Sequence, residues 1–168
     1  MHLRDTTPGD LDTIHVQNQA NVPAVGDVGR AQMDWFPGVA AAFRVAAIDG
    51  AIAGFLIALR LGVAYGSVNY AWFTARHDDF YYIDRVAVDA RVRQRGVARA
   101  LYADAAARAR TAGAPLLACE VNLRPRNDAS LAFHAAAGFA EVGRQDTDGG
   151  ARTVAMMTRS LAASTAGD

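Results

Sequence analysis

Hydrophobic and polar positions change rhythm several times along this chain, and each rhythm predicts an element. Residues 2–5 suit a short first strand. Thr7-Pro8-Gly9-Asp10 then starts a helix, with Thr7 as N-cap and Pro8 at the first helical position, where its missing N–H is no loss. Leu11 and Ile14 fall on one face, and the pattern fades at Asn21-Val22-Pro23. A second short helix over 27–36 carries Met33, Trp35 and Phe36 and stops at Pro37-Gly38. Residues 43–48 and 51–59 read as strands joined at Asp49-Gly50, the best hairpin signal in the chain. The first half is therefore antiparallel.

The second half has a longer period. Residues 80–88 form a central strand, and an Ala/Arg-rich helix follows from Gln94 to about Ala112. Val97, Leu101 and Ala105 make its stripe, and Gly113 ends it. Residues 116–121 are a continuous apolar run, suited to a buried strand parallel to the previous one. A strand–helix–strand unit of this length makes a right-handed crossover. Asn127 or Asp128 caps another helix, Gly138 closes it, and residues 139–144 and 152–158 form a hairpin turning at Asp148-Gly149-Gly150. The predicted order is β-α-α-β-β-β-α-β-α-β-β, with residues 62–80 left as an irregular aromatic stretch. Residues 1–161 are expected to make one domain and 162–168 a frayed tail.

Composition narrows the function classes. The 168 residues suffice for a real core, with 52% hydrophobic and 20% charged. Seventeen basic and seventeen acidic residues cancel, so no overall field recruits nucleic acid or an anionic membrane. Cys119 is the only cysteine, which excludes an intrachain disulfide and a CxxC metal or redox site. No apolar run approaches ~18–20 residues, and Met-His-Leu-Arg-Asp is no signal peptide, so a cytoplasmic protein without metal is expected.

Against that neutral background one stretch concentrates positive charge. Val86-Ala87-Val88-Asp89 runs into Arg93-Gln94-Arg95-Gly96-Val97-Ala98-Arg99, a basic, glycine-bearing turn that opens a helix. Such a helix aims unpaired N–H groups and its positive dipole end forward. Gly96 lets backbone approach a ligand, Ala98 keeps the next turn low, and the three arginines add charge. A pyrophosphate or similar anion fits; an ordinary strand–loop–helix junction with surface arginines is the competing reading.

The spacing Arg93-x-x-Gly96-x-Ala98 after Val86-x-Val88 resembles the acyl-CoA pyrophosphate motif of the GNAT superfamily of acetyltransferases. A second match lies downstream: Asn127-x-x-Ser130-x-x-Phe133-His134-x-x-x-Gly138-Phe139. The resemblance implies an α/β (α+β), three-layer fold, a mixed central sheet of about six to seven strands flanked by about four helices. It implies acetyl-CoA as acyl donor and an N-acetyltransferase acting on an amine by direct attack. By the same resemblance, the cofactor-binding set is Val86, Ala87, Val88, the whole run Arg93, Gln94, Arg95, Gly96, Val97, Ala98, Arg99, then Asn127, Ser130 and Phe133. In that fold the two parallel strands splay, the pantetheine arm enters between them, and a strand amide stabilises the developing oxyanion.

An alkylamine with a pKa of ~10 is mostly protonated at neutral pH, so some group must take its proton. Glu120 and Asp84 are the candidate bases, since both sit in otherwise apolar runs. A salt bridge with Arg85 is the competing role for Asp84, and a structural ion pair that for Glu120. Where the family often has Phe-Tyr, this chain has Phe133-His134, so His134 is the candidate acid toward the thiolate; a helix-surface histidine is the alternative. Asn127 matches the residue that bonds the pantetheine arm, and it caps a helix equally well. Cys119, in an apolar run with no histidine beside it, reads as an inert thiol.

Seven aromatics crowd into residues 65–82, half of those in the chain. Tyr70, Trp72, Phe73, Tyr81 and Tyr82 are read as lining for a small cationic amine; a loop packed on the core, or a dimer contact in a homodimer, competes. Two other function classes stay open: a catalytically silent acyl-CoA-binding module, and an acetyltransferase for protein N-termini or lysines. A nucleotide-dependent dehydrogenase is poorly supported, because Gly-x-Gly-x-x-Gly is missing.

Overall fold

At the tip of the first hairpin both Asp49 and Gly50 take positive φ, 51° and 80°. That is the twist a two-residue turn needs to match its strands. The computed structural model describes residues 1–162. Residues 163–168 of the expected frayed tail lie outside the described residues.

The strands are β1 (His2–Asp5), β2 (Ala42–Ile48), β3 (Ala51–Arg60), β4 (Tyr81–Val88), β5 (Leu116–Arg124), β6 (Ala140–Thr147) and β7 (Arg152–Ser160). The helices are α1 (Leu11–Gln19), α2 (Arg30–Trp35), α3 (Val68–Thr74), α4 (Val97–Thr111) and α5 (Asp128–Ala136). Seven strands in a mixed sheet and five helices match the expected class, with one helix more than anticipated. The chain forms two compact units, one of residues 1–63 and 83–105, the other of 64–82 and 106 onward. Strand β4 and helix α4 run through both.

In the first unit the strand order is β1-β2-β3-β4. Strands β1 and β2 pair antiparallel, as do β2 and β3. Residues 53–59 of β3 are all buried, as a strand covered on both faces requires. Asp10 both receives the Thr7 N–H and bonds its hydroxyl, each at 2.7 Å, closing the start of the chain's first helical segment. A short 3-10 turn over residues 8–10 precedes α1, so the helix proper begins at Leu11. Arg44 is buried but bonded, at 2.9 Å to Asp104 and 2.7 Å to Asp5.

In the second unit the order is β4-β5-β7-β6. Tyr81 and Tyr82 of β4 pair parallel with Leu117 and Ala118 of β5. Strand β7 lies between β5 and β6, antiparallel to both, and its run Val154-Ala155-Met156-Met157 is buried. Strand β5 extends to Arg124, beyond the apolar run that predicted it, because β7 continues to pair with it to Thr153.

The stretch left irregular in the sequence contains α3, capped by Ser67, whose Oγ accepts from the Tyr70 N–H. Seven residues without a wide apolar stripe carry little helical signal. Tyr70, Phe73, Phe80 and Tyr82 pack ring against ring, with centroids 5.4–6.1 Å apart.

Candidate active site

The basic turn lies in the first unit. Gln94 and Gly96 take φ of 64° and 79°, so the chain reverses sharply and α4 starts at Val97, three residues later than its pattern suggested. Gly96 C=O accepts the first helical bond, from Ala100 N–H at 3.0 Å. The N–H groups of the first turn then have no partner within the helix and point forward. A Cβ built on Gly96 meets nothing within 4 Å, so the space before the turn is open. Arg93, Arg95 and Arg99 are exposed, and Arg93 Nη2 also bonds Asn21 Oδ1 at 2.9 Å. These residues fit a pyrophosphate: N–H donors, a dipole end and a Gly stand at one turn whose sequence carries three exposed arginines. Val97 is buried and roots the helix, while Val86 and Val88 are half-buried and Ala87 is buried.

Gly54, on β3, is a residue the sequence reading missed. A Cβ there would lie 2.7 Å from Ala87 O, 3.0 Å from a Val97 methyl and 3.4 Å from Val88 Cα. Only Gly allows β3 this close to the end of β4 and the first residue of α4. A Gly inside an apolar strand was the available signal.

The candidate bases part company. Asp84 pairs with Arg85 at 2.6 Å, with both side chains buried. Arg85 in turn donates to Asn18 Oδ1 at 3.1 Å and Gly26 O at 3.2 Å. Asp84 is thus tied to a guanidinium. Glu120, half-buried in the second unit, instead accepts from two neutral donors. Tyr82 Oη–H reaches Oε2 at 2.8 Å, and Asn69 Nδ2–H reaches Oε1 at 3.1 Å. A carboxylate so held is ordered by those two partners.

His134 is anchored through one ring nitrogen. Its Nδ1 lies 2.7 Å from Ser130 O, and a carbonyl only accepts, so the ring carries its proton on Nδ1. Phe133 and Phe139 pack edge-on against it, both at 5.3 Å. Burial pushes its pKa below the ordinary value, opposed in part by the Ser130 carbonyl. A neutral ring with Nδ1–H committed leaves Nε2 as an acceptor. Asn127 caps α5, its Oδ1 accepting from Ser130 N–H at 3.0 Å, and its N–H2 end is not used by that cap. Ser130 and Phe133 are half-buried on the same helix.

Of the residues read as acceptor lining, Tyr70, Phe73, Tyr81 and Tyr82 are buried and belong to the core of the second unit. Trp72 differs. It is half-buried, with Arg76 4.1 Å above its ring, and lies so close over Gly143 that a Cβ there would be 2.6 Å from the indole. Cys119 is buried, and burial raises its thiol pKa well above the ordinary value, as an inert thiol requires. A cavity of about 540 Å³ opens in the first unit beside Gln17, Asn21, Arg91 and Arg93, and no candidate catalytic residue lines it. Among the described residues no group of three or more His, Cys, Asp or Glu could hold a metal ion, and no helix is long and apolar enough to cross a membrane.

The model of the Acetyltransferase (GNAT) family matches residues 14–139. The chain belongs to this family. The match runs from α1 through the basic turn to the end of α5, so both motifs fall inside it. This GNAT protein is therefore a transferase of the acetyl-CoA-dependent class. Its fold is similar to that of Ard1 from Thermoplasma volcanium, with a TM-score of 0.78, 18% identity, and 96% of this chain and 98% of that one covered. It is also similar to the ribosomal-protein-S18-alanine N-acetyltransferase from Escherichia coli (TM-score 0.72, 16% identity, 99% and 97% covered). A third similar structure is yncA from Salmonella typhimurium, solved with its cofactor acetyl-CoA (TM-score 0.72, 17% identity, 100% and 98% covered). At these identities the likeness is one of fold. Among curated proteins no sequence matches the chain.

Proposed function

We propose that this GNAT acetyltransferase moves the acetyl group of acetyl-CoA to the primary amine of a small molecule by direct attack, with Glu120 taking the amine's proton. The observation that carries the reading is the setting of Glu120: a half-buried carboxylate held by Tyr82 and Asn69, both neutral donors, while Asp84 is committed to Arg85. Bound acetyl-CoA supplies an activated acetyl group on a thiolate whose conjugate acid has a pKa of roughly 8.5. The turn at residues 93–99 holds the pyrophosphate with its amides and arginines, and the backbone of Val86 and Val88 pairs with the pantetheine arm. Asn127 would offer its remaining N–H2 to the cosubstrate while its oxygen caps α5. No acid role is assigned to His134, and the departing thiolate takes its proton from solvent.

The small-amine reading is supported by Trp72, an aromatic surface beside Gly143, and by a net charge of zero, which offers no long-range attraction to a basic protein tail. The fold likeness to an enzyme for a ribosomal-protein alanine favours a protein N-terminus as the second reading. Acetyl-CoA with a panel of small amines and of short peptides, followed by thiol release, separates them. Turnover of free amines supports the first. Turnover confined to peptides transfers the assignment to the second, and CoA binding without turnover of either leaves a silent module.

A further inference from the structure

Gln145 and Asn69 belong to no motif, yet their side chains form a directed line to Glu120. Gln145 Nε2–H, on β6, donates to Asn69 Oδ1 at 2.8 Å. Asn69 Nδ2–H, on α3, donates to Glu120 Oε1 at 3.1 Å, and Tyr82 holds Oε2. All four residues lie in the second unit. We infer that Asn69 and Gln145 are positioning residues of the acetyl transfer, acting through Glu120; the inference rests on the proposed role of Glu120 as base.

The direction of the line follows from the donor and acceptor inventory. A carboxamide has one accepting and one donating end, and an ionised carboxylate only accepts. Because Gln145 Nε2–H donates to Asn69 Oδ1, the oxygen of Asn69 faces β6 and its N–H2 faces Glu120. Reversing Asn69 would set its oxygen against the carboxylate and its N–H2 against the Gln145 N–H2, two conflicts at once. Gln145 and the carboxylate therefore select the same end of Asn69 for the base to meet. With Tyr82 on the other oxygen, the carboxylate plane is fixed from α3, β4 and β6, and a general base works only from a defined position.

The docking of α3 on β6 explains how two amides come within reach. Asn69 and Trp72 are three residues apart, hence on one side of a helix. Gly143 and Gln145 are two apart, hence on one face of a strand, and both are half-buried in the alternating pattern of β6. Trp72 meets Gly143 while Asn69 meets Gln145. The absent side chain at Gly143 admits the indole and brings the helix close enough for the 2.8 Å bond.

Two substitutions at one position test the inference by their order. Gln145→Met keeps the length and removes the bond, leaving Asn69 free to choose. Gln145→Glu keeps the shape but, ionised, only accepts, so it turns Asn69 over and points its oxygen at Glu120. The expected result is a kcat lower by roughly threefold in Gln145→Met and by about 30-fold in Gln145→Glu, part of the ~10²–10⁴ a general base contributes. KM for acetyl-CoA stays within about twofold in both. Asn69→Asp reads the same polarity from the other end should Gln145→Glu fail to fold. Equal losses in Met and Glu variants that track a lowered Tm mean a merely structural contact and overturn the inference. Parent kcat in Gln145→Glu, where Glu120→Gln has lost activity, also overturns it and leaves the base standing. Parent kcat in Glu120→Gln removes the base and the inference together.

Discussion

Tyr82 Oη donates to Glu120 Oε2 at 2.8 Å, and the register of β4 against β5 makes that contact possible. Tyr82 stands opposite Ala118, and Glu120 is two residues further along β5, on the same face as Ala118. Tyr70 and Phe73 hold the Tyr82 ring from the side, with centroids 5.4 and 5.9 Å away. Tyr82→Phe keeps that packing and removes only the hydroxyl. The expected outcome is a kcat lower by roughly threefold to tenfold with KM for acetyl-CoA unchanged, and a stability loss of about 1 kcal/mol for the missing bond. Steady-state kinetics beside a denaturant melt checks both; an unchanged kcat would show that the phenol does not serve the base.

Gly54 and Gly96 make opposite predictions. At Gly54 a methyl meets Ala87 O at 2.7 Å, so Gly54→Ala pushes β3 from β4 and costs about 1–3 kcal/mol, the usual range for overpacking. CoA affinity falls as well, because Val88 and Val97 move with the strand end. At Gly96 an added side chain enters open space, so packing is spared, although φ of 79° adds backbone strain. Gly96→Glu sets a negative charge where the pyrophosphate is proposed, and CoA affinity falls tenfold or more, at least ~1.4 kcal/mol. Calorimetric titration of folded Gly96→Glu with CoA checks this. Parent-like affinity would remove the turn from the cofactor site.

His134 gives a pH signature. Burial lowers its pKa in the folded protein below the ordinary ~6.5 of the unfolded chain. Between those two values the unfolded state binds more protons, so stability falls as pH drops below about 6.5. Above that pH the ring is neutral in both states and the penalty vanishes. The Tm difference between the parent and His134→Gln should therefore shrink from pH 7.5 to pH 5.5. A difference that grows on acidification would mean that the folded protein holds an imidazolium. In the proposed reaction the same variant keeps kcat, because no acid role is assigned to His134.

Strong local chemistry made much of the fold legible. Asp49-Gly50 dictates its hairpin, Gly113 and Gly138 end their helices with φ of 74° and 84°, and Asn127 caps α5 as its position predicts. The basic turn before α4 was legible because glycine, arginines and a helix start occur together in a few residues. Helix α3 was hidden, since aromatic side chains dominate its seven residues and their packing is set by Phe80 and Tyr82, beyond the helix itself. For the same reason the aromatic cluster read as a pocket, whereas four of its five named members fill the core. Asn69 and Gln145 were out of reach because their roles depend on α3 meeting β6, a contact 76 residues apart in sequence. The pairing of Asp84 with Arg85 was likewise one of two open readings, since only the fold turns Arg85 toward its neighbour.

One carboxylate, Glu120, carries the proposed chemistry, and one measurement addresses it. Thiol release from saturating acetyl-CoA, with the best amine of a small-molecule panel, is compared between the parent and Glu120→Gln while CoA binding is followed by calorimetry. The predicted result is a kcat lower by ~10²-fold or more, the low end for a general base, with CoA affinity unchanged. A Glu120→Gln protein that turns over the amine at the parent rate would contradict the account.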